Sequence, residues 1–304
     1  MIVLKTFGSD ESIFSSSAQV KRLLRQLGVR PRKSLGQHFL TDEAVLETIV
    51  EAAELSPQDT VIEVGPGLGV LTVQLARRAG SVVAVELDTR LASLLKHRLS
   101  SLRNVCVVNV DILEVSLSQL LKGKNDYKVV ANLPYYITSP VLRHFVESSP
   151  RPSLMVVMVQ KEVGEAIVAA PGKMSLLAVS LQLYARPRIV ARVASRSFYP
   201  QPKVDSVILR LDLLSEPAVP VADLKDFLEV VRCGFSSPRK QLHNSLAQGL
   251  RMKSSQVVEL LRKAGVESQR RAETLSLVEW SRVYEVLQAW RHQAGCDVNR
   301  AGTS

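Results

Sequence analysis

The run Asn132-Leu133-Pro134-Tyr135 follows the apolar stretch Val129 to Ala131, which places polar groups with chemical potential at a strand end. Pro134 cannot donate to a sheet ladder, so the strand stops near Asn132. The residues before the proline are held extended, with an amide and carbonyls that regular structure leaves unused. Such acceptors suit one chemistry; the plain alternative is a proline-ended strand with an aromatic in the core. An amino group on a planar base is a poor nucleophile because its lone pair is delocalised into the ring. The Asn132 side-chain oxygen and a main-chain carbonyl freed by the proline, both accepting its N–H bonds, favour a pyramidal nitrogen whose lone pair points at an electrophile. Tyr135 offers a face for the base. The amine grows more acidic once alkylated, so no strong general base and no metal is required.

A second group of residues supplies the rest of such a site. The segment VIEVGPGLGVLT sets Gly65, Gly67 and Gly69 directly after a strand and at the start of a helix, where a Cβ would hinder both the turn and a ligand's approach. The spacing is G-x-G-x-G, and Glu63 stands two residues ahead of it, so a positively charged ligand fits better than a pyrophosphate. Glu86 follows about 20 residues on, where an acid in a nucleotide fold accepts both ribose hydroxyls, and Asp111 ends the next strand. Singly, each acid reads as a helix cap or a surface charge. Together, Glu63, Gly65, Glu86, Asp111 and Asn132 fall on successive strand ends at one edge of a sheet. That set suits an adenosine carrying a sulfonium, S-adenosylmethionine, better than NAD.

The elements that must position these residues are legible in the pattern. From the N-cap Asp42, apolar residues recur at helical spacing through Ala53. Short β-branched runs follow at Thr60–Val64, Ser81–Glu86, Asn104–Val110, Tyr127–Ala131 and Leu154–Val159, separated by amphipathic stretches. This alternation predicts a parallel sheet covered on both faces. Strands at Arg188–Ala194 and Val204–Leu211, joined by a proline-containing loop, predict an antiparallel finish. The expected layout is a leader over residues 1–17, a Rossmann-like α/β sheet domain over 18–213, a linker over 214–222, a small all-helical domain over 223–290 and a flexible tail over 291–304.

Bulk properties set the class. A chain of 304 residues with 46% hydrophobic content builds real cores. No apolar run reaches the ~20 residues of a membrane span, and the first residues lack the layout of a secretory signal, which predicts a cytoplasmic protein with no membrane partner. Cys106, Cys233 and Cys296 are far apart and outside C-x-x-C spacing, so free thiols are expected. The formal charge of +10 points to an acidic partner, most often nucleic acid. Its placement sharpens that reading: Lys21, Arg22, Arg25, Arg30, Arg32 and Lys33 form one patch, and Arg232, Arg239, Lys240, Arg251 and Lys253 another. Solvated helix faces are the plain alternative.

With these residues in view, the chain resembles the small-subunit (16S) ribosomal RNA adenine N6,N6-dimethyltransferases, from about Arg32 to Trp290. The segments that carry the likeness are KSLGQHFL, EVGPGLGVLT, VELD, NVDIL, VVANLPYYITSP, MVQKEVGEAIVA, SFYPQPKVDSVILRL and GFSSPRKQLHNSL. The resemblance implies that His38, Leu40, Gly65, Glu86, Asp111 and Asn132 hold the methyl donor and that Asn132, Leu133, Pro134 and Tyr135 border the target adenine. Phe198 reads as core by its own pattern; the resemblance makes it an aromatic that helps sandwich a flipped base, at about 1 to 3 kcal/mol of stacking. Two departures stand out: His38 replaces the family's usual Asn, and the Tyr-Gly pair that usually precedes the helix beginning KMSLLAVSLQ is absent.

The basic patches then acquire a task. Arg32 and Lys33, with Arg239 and Lys240, are expected to grip RNA phosphates, the latter pair on a helix opening at Pro238. The implied activity is dimethylation of the N6 groups of two adjacent adenosines in the 3′-terminal hairpin of small-subunit rRNA, by a monomer acting on a pre-assembled subunit. Two rivals stand beside it: a large-subunit rRNA adenine methyltransferase of the macrolide-resistance type, and a ribosome-assembly factor whose methylation is incidental.

Overall fold

The computed structural model describes residues 17–26, 28, 31, 32 and 36–301, with side chains through residue 293. Lys33, Arg30 and most of the expected leader lie outside the described residues, as do residues 302–304 of the expected tail. By its contacts the chain divides into two compact units: residues up to Glu165 with Arg186–Leu213, and Ala166–Ala185 with the residues from Leu214 onward. The segment 166–185, expected in the sheet domain, thus groups with the C-terminal helices.

The first unit is built on a seven-stranded sheet. In chain order it contains α1 (Ser17–Gln26), β1 (Phe39–Leu40), α2 (Glu43–Ala52), β2 (Thr60–Val64), α3 (Val70–Arg78), β3 (Ser81–Val85) and α4 (Thr89–Arg98). It continues with β4 (Val105–Val108), α5 (Leu117–Leu121), β5 (Lys128–Asn132), α6 (Thr138–Glu147), β6 (Leu154–Gln160) and the start of α7 (Lys161–Ile167). After α8 (Leu176–Gln182), which belongs to the second unit, β7 (Ala185–Val193), β8 (Phe198–Tyr199) and β9 (Ser206–Leu213) complete it.

The sheet order is β4-β3-β2-β5-β6-β9-β7. Strands β4, β3, β2, β5 and β6 run parallel, and β9 pairs antiparallel with β6 from Leu154↔Asp212 to Gln160↔Ser206, the expected finish. Every residue of β2 is buried, as is the middle of β5, because helices cover both faces. The order reverses between β2 and β5, and open α/β sheets bind ligands at the carboxyl ends of the strands beside such a switch. This topology brings the glycine loop after β2 beside the Asn-Leu-Pro-Tyr run after β5.

The sequence pattern assigned no element to α1 and did not reveal a two-stranded ribbon. That ribbon pairs β1 with β8, Phe39↔Tyr199 and Leu40↔Phe198. Two-residue strands are too short to show periodicity. Asp42 caps α2 as expected, accepting from Val45 N.

The second unit contains α8, α9 (Leu224–Phe235), α10 (Leu242–Leu250), α11 (Ser254–Lys263) and α12 (Leu277–Ala301). Trp280, Phe227 and Leu246 lie in its buried interior. Asp223 caps α9 by accepting from Lys225 N and Asp226 N. Two expectations are corrected. The helix placed at Pro238 starts at Leu242, so Arg239 and Lys240 occupy the preceding turn. The tail expected from residue 291 is a continuation of α12 through Ala301, since no Pro breaks the helix there.

Candidate functional site

A cavity of about 360 Å³ opens at the carboxyl end of the sheet in the first unit. His38, Leu40, Gly65, Glu86, Asp111, Asn132, Leu133, Pro134 and Tyr135 all line it. Glu63 does too, with Gly36, Gln37 and Tyr136, which the sequence analysis did not single out. The KSLGQHFL and NLPYY motifs contain those three, so the available signal was adjacency to a motif rather than a pattern of their own.

The glycine loop is shaped for close approach. Gly65, Gly67 and Gly69 all have positive φ. At Gly67 (φ +59) a Cβ would meet the Phe39 ring at 3.2 Å, and at Gly65 the Pro134 ring at 3.4 Å. The amide of Gly67 donates to Glu86 Oε2 at 3.1 Å, and that of Asp88 to Glu86 Oε1 at 2.9 Å. The two amides aim the Glu86 carboxylate; its burial nevertheless holds its pKa above the usual carboxylate range, against those hydrogen bonds.

Glu63 differs. It is 1% exposed, and its Oε2 has no hydrogen-bond partner among the described residues. Burial, reinforced by the nearby Glu86 charge, pushes its carboxyl up to about 8; the Thr72 hydroxyl opposes this without closing a hydrogen bond to Oε2. A buried, unpartnered acid on a cavity wall is costly to ionise alone and favourable once a cation arrives.

The Asn-Leu-Pro-Tyr run is fixed at several points. Leu133 N donates to Met158 O at 3.2 Å, prolonging the β5–β6 alignment past the strand end. The Pro134 carbonyl accepts from Ile137 N at 3.2 Å and from the Thr138 hydroxyl at 3.4 Å. The Leu133 carbonyl and Asn132 Oδ1, by contrast, accept no hydrogen bond among the described residues. Asn132 Nδ2 donates to the His38 carbonyl at 3.2 Å. Tyr135 is pinned by its hydroxyl to Ser206 Oγ at 2.7 Å, and its ring stacks on His38 with centroids 5.5 Å apart. His38 Nδ1 in turn donates to the Pro200 carbonyl at 2.6 Å, so the imidazole standing where Asn is usual is held in one orientation.

Phe198, read as core by its own pattern and as a base contact by the family likeness, is 1% exposed, lies in the hydrophobic core of the unit and is not among the residues that line the cavity. Arg32 lies beside the cavity wall in an ion pair with Asp88, whereas Arg239 and Lys240 are exposed in the second unit and neither is paired with a carboxylate among the described residues.

A switch-point cavity lined by acids, glycines and an Asn-Leu-Pro-Tyr strand end is the arrangement of a Rossmann-like methyltransferase. The chain belongs to the family described as Ribosomal RNA adenine dimethylase, which matches residues 28–288. It is 48% identical over 266 residues to the Ribosomal RNA small subunit methyltransferase A of Dehalococcoides mccartyi, covering 88% of this chain and 91% of that one. It is 43% identical to the protein of the same name from Moorella thermoacetica, covering 88% and 96%. Among solved structures, a dimethyladenosine transferase from Plasmodium falciparum superposes with a TM-score of 0.69 at 25% identity, over 81% of this chain and 96% of that one. The 23S rRNA methyltransferase ErmE does so with a TM-score of 0.66 at 32% identity, over 82% and 99%.

Proposed function

We propose that the chain dimethylates the N6 amino groups of two adjacent adenosines in the 3′-terminal hairpin of small-subunit rRNA, with S-adenosylmethionine as methyl donor. It acts as a monomer in the cytoplasm on a pre-assembled small subunit. The observation that carries the reading is the pair of acceptors at the strand end, Asn132 Oδ1 and the Leu133 carbonyl, beside a cavity with an unpartnered acid.

The donor supplies a methyl carbon made electrophilic by a sulfonium. Glu63 accommodates that positive charge, Glu86 is held by two amides as an acceptor for ribose hydroxyls, and Gly65 and Gly67 let the ligand reach the backbone. Asn132 Oδ1 and the Leu133 carbonyl accept the two N–H bonds of the target amine and so direct its lone pair toward the cavity. Tyr135, anchored by Ser206, presents a ring to the base. Arg239 and Lys240 contact RNA phosphates; Lys33 is expected to do the same and lies outside the described residues.

A second reading, transfer to large-subunit RNA, is favoured by the 32% identity to a 23S rRNA methyltransferase. Labelled S-adenosylmethionine, offered with unmethylated small subunits and large subunits in separate reactions, decides between them. Label on two adjacent adenosines of the small-subunit hairpin is the expected result; label confined to large-subunit RNA establishes the second reading.

A further inference from the structure

Arg32 stands in the basic stretch expected to meet RNA, yet its guanidinium is engaged within the protein. Its Nη1 lies 3.3 Å from Asp88 Oδ2, and only 5% of the Asp88 side chain is exposed. The other Asp88 oxygen accepts from Arg90 N at 3.0 Å and caps α4. No second ion pair reaches Asp88 among the described residues. A carboxylate so buried is costly unless a cation answers it, and Arg32 is that cation.

Arg32 is tied equally firmly to the cavity wall. Its N–H donates to Gln37 Oε1 at 2.8 Å, and its carbonyl accepts from Gln37 N at 3.4 Å. Gln37 lines the cavity between Gly36 and His38. Asp88, at the other end of the ion pair, donates from its own amide to Glu86. A single ion pair therefore joins the wall segment Gly36–His38 to the strand end that presents Glu86.

We infer that Arg32 is a positioning residue for the methyl donor: by pairing with Asp88 it holds the Gly36–His38 wall in register with Glu86, and its charge is spent there rather than on an RNA phosphate. This rests on the cavity being the donor site.

The test is calorimetric titration of the full-length protein with S-adenosylmethionine in the absence of RNA. The variants are Arg32→Ala, Arg32→Lys, Asp88→Asn, which keeps a capping side chain, and the Arg32→Ala/Asp88→Asn double. Either single loss of the pair weakens donor binding by about fivefold, the size of a partly exposed ion pair. The double variant is no weaker than either single, and Lys restores part of the affinity. In turnover the donor KM rises while kcat at saturating donor holds, and the salt dependence of RNA binding is unchanged. Wild-type donor affinity in Arg32→Ala, together with a log–log salt slope reduced by about 0.7 to 0.9, overturns the inference and makes Arg32 a phosphate contact. Failure of the unsubstituted protein to bind S-adenosylmethionine overturns the donor-site reading itself, and is told apart because it needs no variant.

Discussion

The side-chain amide of Asn132 donates to the main-chain carbonyl of His38, 3.2 Å away and 94 positions earlier in the chain. That bond uses one N–H of the amide, fixes its orientation and leaves Oδ1 available at the cavity. One residue thus fixes the wall that carries His38 and leaves an acceptor at the cavity, the one we propose for the target amine. Asn132→Ala removes both, and a fall in single-turnover methyl transfer of about 10²- to 10³-fold is expected, the size of losing one preorganised polar group in a water-poor site. Asn132→Asp keeps an oxygen and puts a like charge beside the His38 carbonyl, so it does not rescue. Quench-flow at saturating donor and RNA measures both.

Glu63 carries the pH signature. Its folded-state pKa of about 8 lies above the ordinary 4.5, so between those values the folded form holds a proton that the unfolded form has released. Stability therefore falls as pH rises from about 4.5 to 8 and the penalty is constant above. Glu63→Gln removes it: the variant should match the parent near pH 4.5 and exceed it at pH 8.5, by on the order of a few kcal/mol. A cationic donor favours the ionised acid, so donor affinity in the parent should rise toward pH 8 and be flat in the variant. Urea unfolding and calorimetry across this range check both slopes.

Gly67→Ala tests the fit of the loop. Alanine at φ +59 costs about 1–2 kcal/mol, and its methyl must displace the Phe39 ring at 3.2 Å. A lowered Tm with loss of donor binding is the expected pair of effects; unchanged donor affinity would show that the loop does not approach the ligand.

Arg239 and Lys240 are exposed in the turn before α10, where Lys240 Nζ reaches Gln248 Oε1 at 3.5 Å. Replacing both by Ala should weaken RNA binding uniformly across sequences and reduce the log–log salt slope by about 1.4 to 1.8, one phosphate each. Thermal stability should not change, since neither side chain is paired with a carboxylate among the described residues.

What was legible in the sequence follows from burial. Parallel strands covered on both faces read as apolar runs, and each strand end carries its motif, so Glu63, Glu86, Asp111 and Asn132 are legible at one sheet edge from the sequence alone. Thr60–Val64 was read with its observed bounds because Gly65 and the polar residues before Thr60 punctuate it. Phe198 is less plain: its own pattern reads as core, which its 1% exposure matches, and only the family likeness suggests a base contact. The β1–β8 ribbon and the Arg32–Asp88 pair are invisible in the sequence because they join distant segments through contacts too few to leave a period. Pro238 misled because proline suits a helix start, whereas here it sits in the turn ahead of one.

The ribbon has a bearing on when the protein becomes competent. His38 to Asp42 is fastened to Ser197–Pro200 by the β1–β8 pairing, by Thr41 N to the Ser197 carbonyl at 2.9 Å and by the Ser197 hydroxyl to Asp42 at 2.8 Å. Loop closure over some 155 residues is among the slower steps of folding, because its entropy is lost before any contact rewards it. On the ribosome, the wall made early in synthesis waits for a segment translated near the end of the sheet unit. A nascent chain stalled before Ser197 therefore holds the glycine loop and the Asn-Leu-Pro-Tyr strand end without the fastening that completes the cavity wall.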